Sequence, residues 1–153
     1  MTSIRDATSD DLRTIIGLLA EDQLGRTREI LPEDVLPASY LAAFAAITCD
    51  PNNRLIVMED GGRVVGCCQL TFIPGLSYQG STRGQIEGVR IAESHRNKGL
   101  GRELITYAIN ASRAHGCRFV QLTSNAVRTD ARRFYERLGF VGSHVGMKLD
   151  LGS

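Results

Sequence analysis

Apolar residues at Leu12, Ile15, Ile16 and Leu19 recur three and four apart, which predicts an amphipathic helix after a short strand, Ser3 to Ala7. Thr8 or Ser9 is placed to cap that helix, and Asp10 and Asp11 in its first turn suit the helix dipole. Leu24 to Pro37 is polar and broken by Gly25, Pro32 and Pro37, so it reads as a loop or short turns. Ala38 to Ile47 is alanine-rich, with Tyr40, Leu41, Phe44 and Ile47 apolar, and predicts a second helix that Pro51-Asn52-Asn53 stops. Arg54 to Glu59 and Arg63 to Phe72 read as strands joined by the hairpin signal Asp60-Gly61-Gly62. Ile73 to Leu76 ends the second of them, and Ser77 to Arg83 is a polar connection. Gln85 to Ile91 is a strand, and Gly99 to His115 a helix with Leu100, Leu104, Ala108 and Ile109 turned inward. Gly116 ends that helix, Arg118 to Thr123 is a strand, and Asp130 to Leu138 is a short helix with an Ala131, Phe134, Tyr135, Leu138 stripe. Gly139 fits a C-cap, and Phe140 to Leu151 supplies a closing strand or pair of strands. The order is strand, two helices, three strands, helix, strand, helix, strand. Hairpins together with a crossover predict an α/β (α+β) fold, a mixed and mostly antiparallel sheet flanked by helices.

Length and composition narrow the picture. At 153 residues without a linker-like stretch, residues 1–153 are expected to form one domain with a proper core. A formal charge of +1 gives no basic footprint for nucleic acid, and no apolar run approaches membrane-spanning length. Met1 to Asp6 lacks the apolar stretch of a secretory signal, so the expected location is the cytoplasm. Cys49, Cys67, Cys68 and Cys117 have no zinc-ligand spacing and lie among apolar residues, which suggests buried free thiols and no metal site. No histidine among His95, His115 and His144 has the partner spacing of a metal ligand or a triad, and surface positions are expected for them.

The chemistry concentrates in Val89-Arg90-Ile91-Ala92-Glu93-Ser94-His95-Arg96-Asn97-Lys98-Gly99-Leu100-Gly101-Arg102. An apolar strand runs into a basic turn, and two glycines open a helix. Glycine lets backbone approach a ligand closely, and the free N–H groups of a first helical turn favour an anion. Arg96, Lys98 and Arg102 add positive charge, so this is a candidate phosphate or pyrophosphate site. The triphosphatase loop requires Gly-Lys followed by Ser or Thr, but Gly101 is followed by Arg102-Glu103. The dinucleotide fingerprint requires a third glycine where Leu104 stands.

Arg-x-x-Gly-x-Gly after a strand, with Phe134-Tyr135-Glu136-Arg137-Leu138-Gly139-Phe140 downstream, resembles the GNAT-type N-acetyltransferases. The resemblance covers nearly the whole chain in element order and is most specific over residues 86 to 140. It implies a GNAT-like acyl-CoA N-acyltransferase fold and direct transfer of acetyl from acetyl-coenzyme A to a primary amine in a ternary complex. It places the cofactor's pyrophosphate on Arg96, Asn97, Lys98, Gly99, Leu100, Gly101 and Arg102. The adjoining strand residues Val89, Arg90 and Ile91 belong to the same cofactor set, with the backbone of Val89 and Ile91 pairing with the pantetheine amides. Glu87 matches the acidic residue that relays the amine proton; the structural alternative is a strand carboxylate paired with Arg83 or Arg118. Tyr135 matches the tyrosine whose hydroxyl protonates the leaving thiolate; the alternative is a ring that only packs.

The chain departs from the family pattern Asn-x-x-Ala-x-x-x-Tyr at one place. Ala131 and Tyr135 fit, but the asparagine position holds Arg128, and Asn125 lies three residues earlier as a substitute contact to coenzyme A. Arg128, Arg132 and Arg133 read either as a solvated helix face or as phosphate contacts. By resemblance the acceptor pocket involves Leu24 to Glu29 and Pro74 to Gln79, with Arg26, Arg28, Arg83 and Tyr78 able to grip an acceptor that carries a carboxylate or phosphate. No cysteine has a nucleophile's setting, which disfavours an acetyl-enzyme. The expected partner is a small-molecule or peptide amine, with no nucleic acid and no membrane, and a homodimer is allowed. Two other readings stay open: a non-catalytic acyl-coenzyme A-binding or regulatory domain, and a transferase using a longer acyl donor.

Overall fold

A computed structural model describes residues 1–31 and 35–152, so Pro32 of the expected loop lies outside the described residues. The helices are α1 (Leu12–Ala20), α2 (Gln23–Arg28), α3 (Ala38–Cys49), the single turn α4 (Ser77–Gly80), α5 (Leu100–Ala114) and α6 (Thr129–Arg137). The strands β1 (Thr2–Asp6), β2 (Asn53–Asp60), β3 (Arg63–Pro74), β4 (Thr82–Ile91) and β5 (Phe119–Leu122) form one sheet in the order β1-β2-β3-β4-β5. The pairings from β1 to β4 are antiparallel, and β4 pairs β5 parallel. Parallel neighbours cannot be joined by a hairpin, and α5 is the crossover between them.

The two-residue period of the strands sorts side chains into two cores. Ile56, Met58, Cys68, Leu70, Phe72 and Ile86 meet Leu104, Ile105 and Ala108 of α5 on one face. Val57 and Cys67 meet Ile15 and Leu18 of α1 on the other. Cys67 and Cys68, adjacent in sequence, therefore lie in different cores. Burial pushes both thiols up to about 12, so both stay protonated and inert. The expectation that all four cysteines are buried is corrected: Cys49 ends α3 in solvent, and Cys117 is half-buried. Apolar residues lie around several sides of α3, and it buries none of them fully.

Other differences from the pattern have local causes. The expected loop Leu24 to Pro37 begins inside the helix Gln23–Arg28, which the Asp22 carboxylate caps by accepting the Gly25 N–H at 2.5 Å. Ser77 to Gly80 turns left-handed, with Tyr78 and Gln79 at φ of 54° and 62°. Among the described residues no strand follows β5: residues 140–151 make no ladder. No helix among them is long and apolar enough to cross a membrane.

Asp11 fastens β1 to the start of α1. Its carboxylate accepts both Arg5 Nη1 at 2.7 Å and Nη2 at 3.0 Å, together with the Thr8 N–H at 2.7 Å. Arg5 also donates to Glu59 Oε1 at 2.6 Å, reaching across to β2. The hydrogen bonds from Arg5 hold the Asp11 carboxyl below its ordinary value of 3.8. A depressed carboxyl adds stability above its unfolded value and loses it as pH falls through the folded one. Asp11→Asn should therefore cost about 1–3 kcal/mol at neutral pH. In urea titrations the gap between parent and variant should narrow as the pH is lowered below 3.8.

Candidate active site

β4 and β5 pair only from Arg83 opposite Phe119 to Ile86 opposite Leu122. Glu87 to Ile91 continue along β3, with no strand on their other side. The Ala92 N–H donates to the Val65 carbonyl at 2.7 Å. Alternation along an antiparallel ladder then turns the main-chain groups of Arg90 toward β3 and those of Val89 and Ile91 toward the open side. The exposed carbonyls are met only by side chains: Val89 O accepts Arg90 Nη1 at 2.8 Å, and Ile91 O accepts Arg96 Nε at 3.1 Å.

The open edge runs through one tight turn, Glu93 to His95, into the start of α5. Asn97 and Gly99 both lie in the left-handed region, at φ of 62° and 80°. No side chain caps α5, and its first intrahelical bond is Glu103 N–H to Gly99 O. The N–H groups of Leu100, Gly101 and Arg102 thus precede that bond, and Arg96, Lys98 and Arg102 are exposed around them. Space at Gly99 is open, whereas a Cβ on Gly101 would lie 3.4 Å from Phe134 Cζ of α6. Gly101 therefore serves the packing of α6 against α5 as well as any ligand approach.

A bulge decides which side chains share the site. The β3–β4 register shifts between Cys67 and Gln69, and Gly88 takes φ of 60° there. Glu87 pairs with Gln69 and Arg90 with Cys67, two residues apart on β3 and so on one face, that of α1. Three apart on β4, Glu87 and Arg90 would point oppositely in a regular strand; the extra residue brings them together. Glu87 is exposed and has no ion-pair partner among the described residues. Neither arginine of the structural alternative reaches it: Arg118 lies over the Tyr78 and Phe119 rings, and the Arg83 guanidinium lies beside Gly75.

Arg90 is largely buried, and its Nε has no partner. Its Nη2 lies 3.7 Å from Asp22 Oδ2, the same oxygen that takes Arg128 Nη2 at 2.6 Å. Burial pushes the Asp22 carboxyl up, but the Gly25 N–H and the charges of Arg90, Arg128 and Arg28 outweigh it, so Asp22 ionises more readily than an ordinary aspartate. Burial and the Arg128 charge conversely lower the Arg90 guanidinium from its ordinary value. Asp22, Leu24, Val127 and Arg128 line an open cleft of about 260 Å³ here. Several cations share one carboxylate, leaving positive charge over.

Tyr135 packs its ring against Phe134 and Phe140, at centroid distances of 5.2 and 5.8 Å. Its hydroxyl has no hydrogen-bond partner among the described residues, yet it is not sealed from solvent. Burial raises its pKa above the ordinary 10.0, with Arg90 and Arg128 pulling the other way, so the phenol keeps its proton at neutral pH.

The remaining candidates fall into place around these. Asn125 is a turn residue whose Oδ1 accepts the Val127 N–H at 3.1 Å. Arg132 and Arg133 pair with Glu136 and Asp130 on a solvated face, while Arg128 alone turns to Asp22. Tyr78 and Arg83 stand at the other end of β4, where Tyr78 meets Phe119 at 4.7 Å, far from the open edge. Sequence reasoning passed over Asp22; its one local signal is the glycine three residues on, which its side chain caps. It also passed over a row of Ser94 Oγ, His95 Nδ1 at 2.7 Å, and His95 Nε2 to Asp60 Oδ2 at 3.3 Å. A nucleophile triad needs a buried, orienting carboxylate; Asp60 is open to solvent and holds the N-terminal ammonium at 3.4 Å.

The model of the acetyltransferase (GNAT) family matches residues 19–140. The aminoalkylphosphonate N-acetyltransferase of Salmonella typhimurium is 28% identical over 141 residues, 92% of this chain and 86% of that protein. The glucosamine 6-phosphate N-acetyltransferase of Trypanosoma brucei brucei is 39% identical over 98 residues, 64% of this chain and 65% of that protein. Among solved structures, a transcriptional regulator from Bacillus halodurans C-125 is 46% identical with a TM-score of 0.95, covering 99% of this chain and 100% of that one.

The charge balance at Asp22 is testable by stability. Asp22→Asn should lower it by about 1–3 kcal/mol, because the two guanidiniums lose their shared anion. Adding Arg90→Gln should recover part of that loss, a coupling that a double-mutant cycle in urea would measure.

Proposed function

This chain belongs to the GNAT acetyltransferase family and is an N-acetyltransferase, and from that premise we propose that residues 1–153 form one catalytic domain that moves acetyl from acetyl-coenzyme A directly onto a small primary amine bearing an anionic group. The observation that carries this reading is the open edge of β4, which begins at Glu87 and ends at the uncapped start of α5. The pyrophosphate is held by the α5 N–H groups with Arg96, Lys98 and Arg102, and the pantetheine pairs with the main chain of Val89 and Ile91. Its amides take the place of a missing strand and displace the two arginine contacts on those carbonyls.

The reaction then needs two protons taken from nitrogen, one given to sulfur, and one alignment. Glu87, directly or through a water, takes a proton from the ammonium of the acceptor. The amine nitrogen bonds to the thioester carbonyl carbon and gives up its second proton to water, and the carbon–sulfur bond breaks as the tetrahedral intermediate collapses. The electron pair leaves on sulfur, which takes the Tyr135 proton; solvent reprotonates the phenol and receives the proton from Glu87. The protonated state of Tyr135 at neutral pH suits a donor. Cys67 and Cys68, buried and protonated, offer no nucleophile for an acetyl-enzyme. Free thiols at Cys49 and Cys117 fit a reducing cytoplasm.

Arg90 stands on the Glu87 face of the sheet, its Nη1 reaching back to the Val89 carbonyl, and with Arg128 and Arg28 exceeds the charge of Asp22. Guanidiniums bind phosphate, phosphonate or carboxylate oxygens well. The acceptors in the names of the two curated relatives, an aminoalkylphosphonate and a phosphorylated amino sugar, carry such groups. The Bacillus halodurans relative's name favours a second reading, a non-catalytic acyl-coenzyme A-binding regulator. A formal charge of +1 gives that reading little electrostatic hold on DNA.

A thiol-release assay over paired amines, each with and without a phosphonate, phosphate or carboxylate, tests the assignment. Anionic amines should turn over with the higher kcat/KM, and Arg90→Gln should erase most of that preference by raising KM. Acetyl-coenzyme A binding without turnover across the panel would favour the regulator. With a responsive acceptor, Tyr135→Phe should lower kcat by ~10²–10⁴-fold while coenzyme A binding is kept. Glu87→Gln should lower kcat by ~10²–10⁴-fold with coenzyme A binding kept, since the amide cannot take the acceptor's proton.

A further inference from the structure

We propose that a row of uncharged polar side chains beside Glu87 reads a hydroxyl group of the acceptor, so that the preferred substrate is an amino alcohol or amino sugar whose hydroxyl lies across the nitrogen from its anionic group. This rests on the transfer reaction at Glu87 proposed above. The row is a matter of register. Asn53 pairs with Thr71, Thr71 with Gln85 and Gln85 with Gln121, one residue on each of β2, β3, β4 and β5. Residues opposite one another in a ladder share a face. Leu70, Phe72 and Ile86, which alternate with them, are buried in the α5 core, so the row faces the α1 side, as Glu87 does. Gln69, opposite Glu87, joins the row to the buried Cys67 opposite Arg90.

The face is not closed over this row. α1 covers Val57 and Cys67, and its last turn reaches Gly88, where a Cβ would lie 3.7 Å from Leu19 Cδ2. Beyond that, Asn53, Thr71 and Gln85 are half-buried and Gln121 is exposed. Internal hydrogen bonds fix the row without exhausting it. Asn53 Nδ2 donates to Asp50 Oδ2 at 2.8 Å, and Asn53 Oδ1 accepts Thr71 Oγ1 at 2.6 Å and Gln69 Nε2 at 3.2 Å. Gln121 Nε2 donates to Gln85 Oε1 at 2.6 Å. Gln85 Nε2 and Gln69 Oε1 then have no partner among the described residues, and neither is sealed from solvent. The Thr71 hydroxyl gives its proton to Asn53 and keeps lone pairs to offer. A donor and acceptors without net charge suit a hydroxyl, which both gives and takes a hydrogen bond. The charged groups lie in other rows. Glu87 is two residues from Gln85, about 7 Å along the strand, and Arg90 stands on its far side, past the bulge. The order along the face is therefore hydroxyl, amine, anion.

The experiment compares two acceptors of equal charge: 2-amino-3-hydroxypropyl phosphate, and 2-aminopropyl phosphate, which lacks only the hydroxyl. The parent should favour the first in kcat/KM by about tenfold, the effect of one hydrogen bond of ordinary net strength. Gln85→Leu should narrow that ratio to about twofold, through KM. Thr71→Val, which keeps the side-chain shape and suits a strand, should narrow it as well. The ratio is the readout because damage to the fold or to catalysis lowers both rates together. A parent ratio near one overturns the proposal while the transfer reaction stands. A large ratio that both variants keep overturns it too, since the preference would then come from the amine's own reactivity. Turnover of neither phosphate, with acetyl-coenzyme A bound, removes the reaction on which the proposal rests, and the proposal fails with it.

Discussion

β4 keeps both neighbours only as far as Ile86, and the site is built on that parting. β5 is four residues long and runs parallel to β4, so the longer strand outruns it. From Glu87 onward one side of β4 is held by β3 and the other presents main-chain groups with no strand to meet them. The same strand then delivers the chain, within one turn, to the start of α5. An extended amide-bearing ligand and its phosphates can therefore be read by one continuous stretch of backbone. Little of this depends on side-chain identity, which explains how a fold can hold one cofactor over many sequences.

The bulge at Gly88 adds the second condition. A regular strand would place Glu87 and Arg90 on opposite faces; one inserted residue at positive φ puts both against α1. Glu87 and the largely buried Arg90 then face the same space. Asp22, at the head of α2, sets the charge of that space from the other side. Its carboxylate is already committed to the Gly25 N–H and to Arg128, which leaves Arg90 Nε unpaired and the arginines in excess.

The two faces of the sheet divide the work. The α5 face is sealed by a continuous apolar core to which Phe134, Tyr135 and Phe140 are attached. The α1 face has a smaller core and carries the polar and charged residues. Tyr135 packs its half-buried ring on the sealed side with its hydroxyl left free, an arrangement that suits an amphipathic aromatic. Among the described residues β5 is an edge strand, and the tail beyond α6 carries exposed apolar residues.

Much of the fold was legible from periodicity: β1, the β2–β3 hairpin, the helices α1, α5 and α6, and the mixed sheet all follow from apolar spacing and turn residues. The basic glycine turn and the aromatic motif identified the family because both are local, contained in runs of a few residues. What stayed hidden depends on contacts far apart in sequence. The Asp22–Arg128 pair joins residues more than a hundred positions apart, and no local pattern announces it. That Arg90 shares a face with Glu87 is decided by the bulge, a property of the β3–β4 register that neither strand shows alone. The closing strand was predicted from its alternation, and the alternation is real, but a strand exists only when an edge pairs with it. Sequence by itself determines which residues want a partner and with what period; which partner they meet is set by the tertiary structure, because hydrogen-bond ladders and ion pairs are properties of two segments and neither segment encodes the other's position.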